Sequence, residues 1–320
     1  MNDIIIRDTV VMRDEDGPPR RISSAGTRLR YVWRGRADRP VFLMQNSRDS
    51  MWEHVDVVCE TPCEAVFVME RTRTGGGVIA STMHQFRDVR IYGNKLAVRG
   101  FWHRSTIDEN NEHGRFDSVS IYGCTHSWVF QGQQSKEHLL THCRAETCRV
   151  AMQADSGFQW VGGTVAVCEV GVELTRAGDP VTLQGIGFEA CQRVLVTSGP
   201  TTAAQPVVLI NCRYEADQLH RDGHAIILRH AGPLVMVGGR YGGGNQRVPR
   251  IALLGAGEQS LTLTGVTFGS FGAHRVSPVV TRNVEQANVS ASALVYQRGG
   301  GDASNTQGMR ATTTVQRIVP

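Results

Sequence analysis

The chain has 320 residues, 41% of them hydrophobic, and a formal net charge of +4 from 34 basic and 30 acidic residues. That near-balance, spread along the chain, excludes the basic footprint of a nucleic-acid binder and the dense basic run of a membrane-surface segment. No apolar run reaches the roughly 18 residues of a membrane span, and Met1-Asn2-Asp3-Ile4-Ile5-Ile6-Arg7-Asp8 holds neither an apolar h-region nor a cleavage site. Synthesis in the cytoplasm without a signal peptide is expected, and with it reduced thiols.

Residues 1–28 read as an N-terminal segment or cap. Ile4–Ile6 and Thr9–Met12 have strand length, and Asp14-Glu15-Asp16-Gly17-Pro18-Pro19 is a turn, because Pro fixes φ and Gly accepts positive φ. Regular patterning starts at Leu29: Leu29–Trp33 and Val41–Met44 are apolar runs split by the polar turn Arg34–Arg39.

The body, residues 29–296, is organised by one recurring hexad. Leu183-Gln184-Gly185-Ile186-Gly187-Phe188 opens on a large apolar residue and closes on an aromatic. Leu209–Tyr214, Met236–Tyr241 and Leu263–Phe268 do the same at intervals of 26, 27 and 27 residues. A fixed period in the twenties marks a solenoid, whose repeats bury their apolar faces only by stacking. The hexad traces back through Trp160–Val165, Leu140–Ala145, Phe116–Ile121, Phe86–Ile91 and Trp52–Val57. A second strand is expected after each hexad: Ala65–Met69, Leu96–Val98, Trp128–Phe130, Val150–Met152, Val170–Leu174, Val194–Val196, Ala225–Leu228, Ile251–Leu254 and Pro278–Val280. Alternation such as Val170, Val172, Leu174 turns one face inward.

Eight cysteines lack metal spacing, since Cys59/Cys63 and Cys143/Cys148 have no matching second pair. Cys124, Cys148, Cys168 and Cys191 each fall eight residues after their hexad starts. Asn94 and Asp217 take that place in flanking repeats. Linear stacking at about 4.8 Å cannot wrap a tetrahedral ion, so a ladder of small buried thiols is expected rather than a metal or redox centre. Residues 297–320 begin with the flexible linker Gln297–Asn305. They end in a β-prone stretch, Thr312–Val319, expected to pair with its own last coil or a neighbour's.

These hexads and stacked positions resemble the single-stranded right-handed parallel β-helix, the pectate-lyase-like superfamily. The resemblance implies an all-β solenoid of about ten coils. An antiparallel β-sandwich also has short, evenly spaced strands, but position-by-position matching between repeats favours the helix.

Function in such a fold lives on turns and inserted loops. Two stretches stand out, Thr106–Arg115 and Glu215–His224. They supply the catalytic candidates Asp108, Glu109, Glu112, Glu215, Asp217 and Asp222, because glycoside cleavage needs paired carboxyls. Binding candidates are Trp102, His103 and Tyr122 as exposed aromatics for sugar stacking, with His113, Arg115, His220 and His224 beside them. Polygalacturonase-like members carry Asn-Thr-Asp, Asp-Asp, Gly-His-Gly and Arg-Ile-Lys motifs, none intact here; Gly223-His224-Ala225 is a fragment.

The expected function is therefore a phage tail component, of tail-fibre, tailspike or minor-tail-protein type. It would be a homotrimer in the virion, contacting other tail proteins and host-surface glycan, with no cofactor or metal. The alternative is a polysaccharide hydrolase or lyase, a depolymerase.

Overall fold

A computed structural model describes residues 3–13, 20–23, 27–72, 81–104, 111–132, 134–176, 179–198, 206–215, 220–229, 233–242, 250–254, 258–270, 279–282, 286–292, 295–298 and 314–318. The fold is all-β among these residues: parallel strands stack turn upon turn as a β-solenoid. The number of turns is close to the ten expected. The chain divides into two compact units, Met1–Gly163 and Thr164–Pro320.

In the first unit the hexads stack in register. Trp52 pairs with Phe86, Phe86 with Phe116 and Phe116 with Leu140. The second strands form their own parallel sheet, Phe42–Gln45 beside Cys63–Glu70, then Ala97–Arg104, His126–Phe130 and Val150–Ala154. Stacking turns sequence periodicity into aromatic columns. Phe42 lies on Phe67 at 5.0 Å and Phe67 on Phe101 at 4.9 Å, while Phe86 lies on Phe116 at 5.3 Å with rings 6° apart. Such contacts add roughly 0.5–1.5 kcal/mol each to burial. The strands Asp3–Ile6 and Val10–Met12 join this stack, parallel to Leu29–Trp33 and Phe42–Gln45.

In the second unit Leu183, Leu209, Met236 and Leu263 form one column, and Phe188, Tyr214, Tyr241 and Phe268 another. The late strand Thr314–Ile318 lies antiparallel on Gln286–Ser292.

The hexad's third residue explains its shape. His54, Asp88, Ser118, His142 and Gly162 in the first unit all have positive φ, as do Gly185, Asn211, Gly238 and Gly265 in the second. One left-handed residue per turn bends the first sheet, so positions one and six both point inward around the bend. Glycine occupies this conformation freely, whereas a side-chain-bearing residue costs roughly 1–2 kcal/mol.

All eight cysteines are buried free thiols, as the ladder reading requires. In the second unit the Cys168 and Cys191 thiols hydrogen-bond to each other.

Candidate functional site

Of the first charged stretch, Asp108 and Glu109 lie outside the described residues. Its remaining half forms an acid–imidazole–acid cluster in the first unit. His113 Nε2 is 3.6 Å from Glu112 and its Nδ1 is 3.1 Å from Glu137. The turn geometry places them: His113 and Glu137 each sit three residues before a hexad and both are left-handed, with φ of 59° and 58°. The His113 amide donates to the Lys136 carbonyl at 3.2 Å, locking the two turns together. Glu137 was not among the sequence candidates. Its equivalence to His113 in the repeat was the signal. Arg115 is exposed at the start of the following strand, and its amide donates to His84 O at 2.8 Å.

Behind this cluster lies a buried imidazole ladder. His84 Nδ1 meets Ser50 Oγ at 2.6 Å and its Nε2 meets Ser81 Oγ at 3.0 Å. One corner further, His138 Nδ1 accepts the Gly114 amide at 3.0 Å and its Nε2 meets Ser135 Oγ at 3.1 Å. The pattern Ser-x-x-His thus occurs twice, at Ser81–His84 and Ser135–His138. Gly114 takes the histidine's place in the intervening turn because a Cβ there would lie 2.8 Å from His138 Nδ1 and 3.3 Å from the His103 ring. His103 fills that space from the second sheet, with its ring centroid 4.2 Å from that of His138. Burial pushes His84 and His103 down to about 3 and His138 well below its ordinary value, so all three are neutral near pH 7.

Two expected exposed aromatics are not exposed. His103 belongs to this interior ladder, and Trp102 is only 9% exposed. Trp102 packs with Ala65, Val68 and Val129 on the outer side of the second sheet. The Arg99 and Arg104 guanidiniums lie 4.0 and 4.9 Å from its ring centroid, and its Nε1 donates to Gln131 at 2.9 Å. The second strand was expected to end at Val98 but runs Ala97–Arg104, which turns His103 inward and sets Trp102 on an outer side that is apolar as well. Tyr122 is half-buried, stacked on Tyr92 at 5.3 Å with Arg144 5.9 Å from its ring.

In the second unit Asp222 gathers three cationic or titratable neighbours. Arg193 lies at 2.7 Å, His220 at 3.2 Å and His224 at 3.6 Å. Burial alone would raise the Asp222 carboxyl. The Arg193 hydrogen bond and the His224 amide more than offset it, holding the group at about 2. Glu215 pairs with Arg213 at 3.5 Å, and Asp217 lies outside the described residues.

A further polar group was not legible as a site. On the outer bend of the first unit His54 Nδ1 meets Asp88 at 2.8 Å, and Arg28 bridges Asp56, at 3.0 Å, and Asp88. The signal was the hexad's third position, which is Gly or Asn in the second unit but His54, Asp88, Ser118 and His142 in four of the five hexads here, Gly162 being the fifth. Beside it, nearly buried Glu53 pairs with Arg21 at 2.8 Å and Arg87 at 3.2 Å.

Together these groups give the first unit an ionic, hydrogen-bonding outer face over a neutral imidazole interior. Among the described residues no set of three or more His, Cys, Asp or Glu is placed to hold a metal ion. Comparison of the chain with protein-family models, with curated proteins and with solved structures found no match.

Proposed function

We propose that this chain is a tail-associated component of a phage virion, of the pectate-lyase-like β-helix type, whose body contacts a host-surface glycan without cleaving it. One observation carries the choice of binding over cleavage. Arginine holds four carboxyls ionised: Arg36 and Arg21 lower Asp38 and Glu53, and Arg28 and Arg193, paired with Asp88 and Asp222, overcome the upward push of burial there. A glycosidase acid needs the opposite, a carboxyl kept protonated near neutral pH. Ionised carboxylates locked to arginine suit hydroxyl-rich ligands as hydrogen-bond acceptors and donors in fixed positions.

The enzymatic reading has its own observation, the Glu112–His113–Glu137 cluster, which has the residue types of a general acid–base site. In the tail reading, three copies associate side by side. The deciding experiment is incubation with bacterial surface polysaccharides, following retention on immobilised glycan together with release of reducing ends or unsaturated sugars. Retention without products supports the binding reading. Products that disappear in Glu112→Gln or Glu137→Gln replace it with the enzymatic one.

A further inference from the structure

Among the described residues the first turn has one open edge on each sheet. Asp3–Ile6 pairs only with Leu29–Trp33, and Val10–Met12 only with Phe42–Gln45. Of the eight exposed large hydrophobic side chains among the described residues, four stand on these two strands, Ile4 at 42%, Ile5 at 38%, Val10 at 37% and Val11 at 38%. Among the described residues, exposed apolar side chains are therefore concentrated here. Edge strands are ordinarily blunted by Lys, Pro or a bulge, and residues 3–12 contain neither Lys nor Pro.

The edge sequence names its partner. Asp3-Ile4-Ile5-Ile6-Arg7 is a charge palindrome. Laid antiparallel on its own copy about Ile5, it sets each Asp3 opposite Arg7 of the other copy, Ile4 opposite Ile6, and Ile5 opposite Ile5. Alternation puts Asp3, Ile5 and Arg7 on one side of the sheet and Ile4 and Ile6 on the other. Ile6 is buried at 6% exposure while Ile4, on the same side, is at 42%. Pairing in this register extends the apolar interior over Ile4. A one-residue slip loses both ion pairs and reverses the faces.

We propose that Asp3–Arg7 is a self-association edge, at which two copies of this chain join end to end about a two-fold axis through Ile5. Such an interface is isologous and closes at two copies. It doubles whatever lateral assembly exists: single chains become dimers, and side-by-side trimers become hexamers. The proposal does not depend on the glycan reading.

Sedimentation equilibrium of the 320-residue chain at micromolar concentration is expected to give two or six copies. Asp3→Arg and Arg7→Asp each oppose like charges twice across the axis, and each is expected to weaken the end contact about tenfold and shift the mass toward half. The double variant restores both pairs in reversed polarity and recovers the larger assembly. Recovery distinguishes this contact from loss of the Asp3–Arg30 pair within the chain, 3.2 Å apart, because that pair stays broken in the double variant. One or three copies, or single variants of unchanged mass with unchanged circular dichroism, overturn the proposal.

Discussion

Burial holds His84 and His103 at about 3, whereas the unfolded chain protonates such rings near 6.5. The unfolded state thus binds protons first as pH falls. The stabilisation is complete above about pH 6.5 and is lost progressively toward 3, by up to about 1.4 kcal/mol per pH unit for each ring. Urea titrations at pH 7.5 and pH 5 are expected to show this loss. His138 is lowered too and adds to the same slope, so His84→Gln, which can still hydrogen-bond to Ser50 and Ser81, should remove about a third of what the three rings contribute. An unchanged slope would assign the acid sensitivity elsewhere. The hexad's third position allows a second test at this scale. Gly185 has φ of 64° and nothing within 4 Å of a built Cβ, so Gly185→Ala reports backbone strain alone. It is expected to cost about 1–2 kcal/mol, and Ser118→Gly, at φ of 56°, to gain up to about 1. Opposite melting shifts, downward for Gly185→Ala and smaller and upward for Ser118→Gly, would confirm that one conformation is required in both units.

At the scale of the element, the strands were legible and their decoration was not. The hexads were visible because inward positions one and six are apolar in every turn and large in nearly all. The second strands followed for the same reason: Val170–Leu174 is the strand observed, and Arg193–Thr197 and Arg250–Leu254 extend the expected cores by one or two residues. The polar bend of the first unit was hidden because it dispenses with the glycine that marks it in Leu183–Phe188. The Ser-x-x-His ladder was hidden because only stacking brings its two short copies into one column. The cysteine ladder was visible through its constant offset. Within the ladder burial raises Cys124 while the Cys168 hydrogen bond lowers Cys191, and outside it burial raises Cys143 to about 12 and Cys212 to about 11; what all eight thiols share is burial, which keeps reagents away. Native protein should label little with a thiol reagent, and denatured protein at nearly all eight cysteines; a substantial native count would mean that the ladder is open. The late strand Thr314–Ile318 covers an edge of Gln286–Ser292. Deleting residues 299–320 is expected to leave the β-type circular dichroism nearly intact while exposing that edge to aggregation, read by light scattering against the full chain.

For the whole molecule, the columns of rings have a spectroscopic consequence. All five tryptophans, Trp33, Trp52, Trp102, Trp128 and Trp160, lie in the Met1–Gly163 unit, and four of them are fully buried. Intrinsic emission excited at the red edge of the indole band therefore reports on that unit alone, while far-ultraviolet dichroism sums the strands of both. Stacked repeats lose stability locally rather than all at once, and the aromatic-rich turns have the larger packing contribution. In a thermal ramp the dichroism is expected to begin falling while the indole emission stays blue and unshifted. Coincident curves would instead show a single cooperative transition. The protein thus carries a built-in optical label on one unit, and melting can be assigned to a region of the chain without attaching any probe.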